Sequence, residues 1–256
     1  MMITSPEAEL PFYFGDDAAL FGLFHATGGP ARRAVLLCPP LGQDHIRCHR
    51  LYRQLANALA GEGIAALRFD YYGTGDSAGE SADVDWGRCV ADIATAADEL
   101  RRRSGADRVI AFGARLGGSM AIAAAPTARF AGVVTWDPVF DGGSYVSRLD
   151  AMQSALRQDR QRFTRPRSAS DVAEQWLGFA TSERLRRQIT ELQLDASSVP
   201  TLVLDSLGDL PDNGVANISV KRLEPAAPWD DLNRLEVAIL SHPLIQTVTS
   251  HVRAAA

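Results

Sequence analysis

Phe112-Gly113-Ala114-Arg115-Leu116-Gly117-Gly118 joins two segments of different character. Arg108 to Phe112 is a short apolar run of strand type, and the small residues that follow, as far as Ala125, suit a helix packed closely on its neighbours. The glycines fit a turn too tight for side chains, leading into a helix that lies close to its own strand. An elbow of this kind displays its middle residue above the carboxyl end of the strand. Here that residue is Arg115, whose guanidinium stays protonated and cannot serve as a nucleophile.

The alternation extends in both directions. Leu10 to Phe14 and Ala18 to His25 read as a hairpin about Gly15-Asp16-Asp17, and Ala34 to Cys38 and Ile64 to Phe69 as further strands. Gly132 to Trp136, Pro200 to Asp205 and Ile218 to Leu223 complete the set. Leu51, Leu55, Ala58 and Leu59 recur at helical spacing until Gly61 and Gly63. Asp83 is placed to cap a helix carrying Val84, Val90, Ile93, Ala97 and Leu100, and Ser241 to cap a last one with Pro243, Ile245 and Val248. Strands alternating with helices imply parallel pairing with crossover helices on both faces. Between about 141 and 199 the pattern is helical and arginine-rich, without a strand candidate. The expected organisation is an α/β core of residues 1–140 and 200–256, with a mostly parallel eight-stranded sheet and a helical lid inserted at 141–199.

With 256 residues, 46 % of them hydrophobic and 22 % charged, the chain is long enough for one well-buried domain and is not of disordered, collagen-like or coiled-coil type. Its net charge of −5 argues against nucleic acid as a partner. The basic residues are biased: Lys221 is the one lysine among 26 cations. The segment from Gly142 to Arg187 holds nine arginines against five acids, which makes it either a solvated helical surface or a basic cover that attracts an anionic or acyl-carrier substrate. Cys38, Cys48 and Cys89 are odd in number and at no metal-ligand spacing, so reduced thiols in a cytoplasmic protein are expected. MMITSPEAEL has no signal-peptide pattern, and no apolar run is long enough for membrane insertion.

Three more turns fall at the ends of strands. Pro39-Pro40-Leu41-Gly42-Gln43 follows the third, Asp70-Tyr71-Tyr72-Gly73-Thr74-Gly75-Asp76-Ser77 the fourth and Asp205-Ser206-Leu207-Gly208-Asp209 the seventh. In this order, with the elbow, they resemble the α/β-hydrolase superfamily over nearly the whole chain, most closely its serine-aminopeptidase-like branch. The Arg-Leu-Gly elbow is similar to that of bacterial members such as the exosortase-A-associated hydrolases. The resemblance implies an oxyanion site of backbone N–H groups near Leu41 and Leu116, a triad acid at Asp209, and a histidine soon after the last strand. That stretch, Glu224 to Asp231, contains no histidine. His242, at the start of the final helix, is the first candidate, either oriented by Asp209 as a dyad or an ordinary helix-start residue.

Strand carboxyl ends form the ligand site of such a sheet. Gln43, Asp44, His45, Tyr71, Tyr72, Arg115, Asp137, Asp141 and Asp209 are expected there. Arg115 and Asp137 end neighbouring strands, so they read as a buried ion pair, a grip on a ligand anion, or both at once. His45, in the loop after the third strand, is either a base for water or a loop histidine bonded to backbone. Of the two tyrosines, one is expected under the elbow and the other beside Leu41, Gly42, Gln43 and Leu116 in the pocket. Cys38 reads as an inert core thiol, and Trp176, Leu177 and Phe179 as the packing face of the lid. No metal or cofactor is expected. Three functions follow: a degenerate protein binding a small anionic or acyl molecule, by binding alone or with water chemistry; a displaced ester, thioester or amide hydrolase; or, from the resemblance alone, a non-catalytic accessory of a biosynthetic cluster such as exopolysaccharide assembly.

Overall fold

The computed structural model describes residues 9–29, 31–159, 175–194, 196–208, 210 and 216–255. An eight-stranded sheet forms the centre. In chain order its strands are β1 (Glu9–Phe14), β2 (Leu20–His25), β3 (Arg33–Cys38), β4 (Ala65–Phe69), β5 (Arg108–Ala114), β6 (Gly132–Trp136), β9 (Thr201–Asp205) and β10 (Ile218–Arg222). They lie side by side as β1-β2-β4-β3-β5-β6-β9-β10. The pairs β1–β2 and β2–β4 are antiparallel, and the rest are parallel.

Period-two side chains divide the core into two layers. Ala34, Leu36 and Cys38 of β3, with Val109 and Ala111 of β5, pack beneath α2 (Trp86–Ser104) and α3 (Leu116–Ala128). Val35 and Leu37, with Ile110, Phe112 and Ala114, pack beneath α1 (Gly42–Gly61) and α6 (His242–Ala254). Central strands covered on both faces have almost no polar positions, which is why they read as continuous apolar runs. All three cysteines are free and buried in these layers, and burial pushes the Cys38 thiol up, away from reactivity.

Two expectations change. Asp83 does not cap α2: its carboxylate closes a capping box with Glu80 in a short turn, and Asp85 is the N-cap, accepting from the Arg88 N–H. The stretch between β6 and β9 also contains strand as well as helix. It carries α4 (Gly142–Gln158), a small hairpin of β7 (Gln175–Trp176) and β8 (Phe179–Ala180), and α5 (Glu183–Thr190). Leu177 and Gly178 form the hairpin turn, both with positive φ. Two-residue strands are too short to show a period. Trp176 and Arg186 both bond Asp150 of α4, and the Leu177 N–H donates to Gln153. Asp85 ties α5 to α2 as well, through Gln188 at 2.8 Å and Arg184 at 2.7 Å.

Behind the hairpin of β1 and β2, His25 is almost wholly buried between Asn57, 3.0 Å from its Nδ1, and Arg68, whose Nε donates to its Nε2 at 3.1 Å. Burial and the Arg68 charge lower its pKa from 6.5 to about 4. The folded protein therefore holds His25 neutral while the unfolded chain takes up a proton. Its contribution to stability is complete above pH 6.5 and falls toward pH 4, by at most about 1.4 kcal/mol per pH unit. Urea melts of wild type and His25→Gln between these limits measure this, and the variant should show the shallower dependence.

Candidate functional site

Strain and close approach build the elbow. Arg115 sits at φ 50°, ψ −129°, a conformation that a residue with a Cβ holds only when its surroundings enforce it. The enforcement is visible on both sides. A Cβ on Gly113 would come within 2.5 Å of the Gly117 carbonyl carbon, and one on Gly117 within 2.4 Å of the Cys38 oxygen. The Arg115 N–H donates to the Trp136 carbonyl at 3.0 Å, fixing the elbow to β6.

The side chain of Arg115 is only 5 % exposed. Its Nε lies 3.6 Å from the Asp44 carboxylate, and its Nη1 donates to the Asp137 backbone carbonyl at 3.2 Å. The rings of Tyr145 and Trp229 stand 5.2 and 5.3 Å from the guanidinium carbon, within cation–π range. Tyr145 also donates to Asp44, at 3.4 Å. Burial raises the Asp44 pKa, while Arg115 and Arg47 act against that rise. The carboxylate expected to pair with Arg115 is differently employed. Asp137 accepts from the Ser206 N–H and hydroxyl, at 2.6 and 2.5 Å, and from the Trp229 indole N–H at 2.7 Å. The pairing with Asp137 is thus corrected to Asp44, because Ser206 and Trp229, remote in sequence, saturate the nearer acid. Trp229 is itself held from α1, where Arg47 donates to the carbonyls of Trp229 and Pro228.

A cavity of about 470 Å³ opens beside the elbow. Leu41 and Leu116 line its inner end, next to Asp44 and His45. Val84, Leu149, Trp176, Leu177, Phe179, Leu185 and Ile189 supply its apolar walls, and no Arg or Lys is among the described residues around it. Among the described contacts, neither the Leu41 nor the Leu116 backbone N–H has a hydrogen-bond partner. Arg115 faces a separate cleft of about 320 Å³, with Asp137, Ser144, Arg148 and Asp205. Tyr145 borders both spaces.

The structure brings Leu41, Gly42, Gln43, His45 and Leu116 to the cavity and sets other expected residues apart. His45 stands in the first turn of α1, not in a loop, because the helix opens at Gly42 with φ +59°. Its Nε2 is 4.0 Å from Asp70. Burial lowers its pKa, with the Asp70 charge opposing, which keeps the ring neutral at pH 7. Tyr71 is fully buried in the core. Tyr72 stacks under Arg88 at 4.1 Å and against Gly79, so neither tyrosine lines the cavity. Asp137 borders the cleft of Arg115 instead. His242 is exposed on the first turn of α6, away from both spaces. Asp209 lies outside the described residues. Asp70 organises its own turn by accepting from the Asp76 N–H, and the glycine at 75 leaves it room. Trp176 and Leu177 are tied to α4 of the inserted segment, whereas Phe179 lies against Gly42 of α1, and all three face the cavity.

A family model described as Hydrolase_4, serine aminopeptidase S33, matches residues 29–171. No curated protein is similar enough in sequence to match. Among solved structures, the protein PA2218 from Pseudomonas aeruginosa superposes with a TM-score of 0.64 at 13 % identity, covering 100 % of this chain and 96 % of that one. Est1E from Butyrivibrio proteoclasticus, solved with ferulic acid bound, gives 0.60 at 15 % identity over 94 % and 96 %. XC6422 from Xanthomonas campestris, described as an α/β serine hydrolase without lid, gives 0.53 at 14 % over 100 % and 95 %. At these identities the likeness is one of fold.

Removing one member of a buried ion pair strands the other. Arg115→Met should therefore lower the unfolding free energy by about 3 kcal/mol. The double variant Asp44→Asn/Arg115→Met should be more stable than that single variant. Chemical denaturation of the two singles and the double closes the cycle.

Proposed function

The chain belongs to the serine aminopeptidase S33 family of α/β hydrolases, and from that premise we propose that it works without serine-nucleophile chemistry and binds a small acyl compound beneath the 141–199 segment, which serves as a lid. The observation that carries this is Arg115 at the elbow apex, held by Asp44, the Asp137 carbonyl, Tyr145 and Trp229. A hydrolase elbow places its nucleophile there, followed along the chain by an acid and then a histidine. Here the elbow carries Arg115, and Trp229, in the stretch after the last strand where the resemblance implies a histidine, donates its indole N–H to Asp137. An indole N–H donates but does not accept a proton, so Trp229 supplies no base to stand beside the missing nucleophile.

Of an anionic and an acyl ligand, the cavity favours the acyl one. Its walls are largely apolar and no arginine or lysine is among the described residues that line it, so these residues offer a free anion no charge to replace its water. Leu41 and Leu116 offer two backbone N–H groups for a carbonyl oxygen, and Trp176, Phe179 and Leu149 offer contact for the chain or ring attached to it. A volume near 470 Å³ suits a small molecule. Among the described residues no helix is long and apolar enough to cross a membrane. The buried thiols accord with a cytoplasmic setting.

One observation favours a second reading, hydrolysis by an activated water. His45 is neutral, faces the cavity, and on its other side borders a space of about 80 Å³ shared with His49 and Asp70. A water there would have a base within reach and an oxyanion site nearby.

A fluorophosphonate probe should leave wild type unlabelled. It should leave Arg115→Ser unlabelled too, since nothing at Trp229 can take the hydroxyl proton. Tryptophan fluorescence titrated with medium-chain acyl compounds should saturate, and Phe179→Ala should weaken the binding. Serine labelling of wild type, or no saturable binding, would sink the first reading. Hydrolysis of short-chain acyl esters should not exceed the buffer rate. Turnover abolished by His45→Ala but kept by Arg115→Ala would establish the second reading in its place.

A further inference from the structure

We propose that Asp44 reads the group attached to the ligand's carbonyl, so that the cavity selects acyl amides bearing an N–H over the matching esters. This rests on the acyl-binding reading above and deepens it. The first turn of α1 brings its N-cap amide and its first acid to the cavity. Leu41 is the N-cap of α1, and Asp44 stands three residues later in the same first turn. An acidic side chain at that position ordinarily bends back to accept from the N-cap amide. Asp44 instead turns toward Tyr145 and Arg115, and no such bond to Leu41 is made. The Leu41 N–H, without a partner among the described contacts, and Asp44, which leaves that N–H unmet, thus border the same cavity within one helical turn.

The carboxylate is poorly occupied. Among the described residues its one hydrogen bond is the 3.4 Å contact from Tyr145, and the Arg115 Nε is 3.6 Å away, whereas an ionised carboxylate offers about four acceptor positions. A secondary amide matches the two open groups together: its oxygen accepts from Leu41 and Leu116, and its N–H donates to Asp44. An ester presents an oxygen lone pair at the second position, facing an acceptor, and leaves Asp44 without a donor. A free carboxylic acid would bring a second negative charge beside the first, with no cation among the described residues that line the cavity. A cationic amine gains less than its charge suggests, because Arg115 and Arg47 already offset Asp44. The neutral amide N–H is the remaining match. Sites built to hydrogen-bond a ligand N–H or O–H discriminate strongly against analogues that lack it.

Isothermal titration with N-butyloctanamide, butyl octanoate and N-butyl-N-methyloctanamide tests this from the ligand side, independently of any variant's folding. Wild type should bind the secondary amide roughly tenfold or more tighter than either of the others. Asp44→Ala should reduce that ratio to near one. Leu149→Ala, in the apolar wall, should weaken all three ligands alike and keep the ratio. Equal binding of amide and ester by wild type would overturn the inference while leaving the acyl-binding reading intact. A ratio that survives in Asp44→Ala would remove Asp44 from the selection. If none of the three compounds binds, the acyl-binding reading itself falls.

Discussion

A permanently charged guanidinium at the apex of a strained turn, with almost no access to water, sets the terms for everything at the strand ends. A buried charge is tolerated only when paired and hydrogen-bonded. Asp44 comes from the start of α1, the Asp137 carbonyl from the end of β6, Tyr145 from α4 and Trp229 from the segment after β10. Four separate parts of the chain therefore converge on one side chain. An arginine at this elbow has consequences far beyond its own position: the acid, the aromatic rings and the first turn of α1 gather around the cation.

That arrangement also divides the space above the sheet. Tyr145 stands between a largely apolar cavity, with no arginine or lysine among the described residues that line it, and a more polar cleft that contains Arg115 and Arg148. The arginine bias of the chain thus has little direct bearing on the apolar cavity. Arg186 illustrates where much of it acts, pairing with Asp150 to hold α5 to α4, and Arg184 ties the same helix to the start of α2 at Asp85. In both cases the fork-shaped group joins elements of the cover to each other or to the core.

The central fold was legible because β3, β5 and β6 are buried on both faces and their apolar runs end at glycine or proline turns. The elbow was legible because Gly113 and Gly117 are sterically required. The partner of Arg115 was not. Adjacent strands suggested Asp137, and only the three-dimensional approach of Ser206 and Trp229 reveals that this carboxylate is already saturated. The early start of α1 was hidden as well. Gly42-Gln43-Asp44-His45 looks like loop by composition, yet the left-handed glycine lets a helix begin directly after the two prolines and carries Asp44 and His45 to the cavity. The residues Trp176, Leu177 and Phe179 pose a third kind of problem: packing and lining are the same apolar signal, and sequence cannot separate them.

Asp85 gives the cover of the cavity its mechanical character. One carboxylate caps α2 and also receives Gln188 and Arg184 from α5, while the Gln188 oxygen takes the Trp86 N–H at 3.0 Å. Lifting α5 away would expose the first amides of α2 along with the cavity. Opening on that side is therefore a partial unravelling of the core rather than the swing of a hinge, and it belongs among the rarer fluctuations of the folded chain.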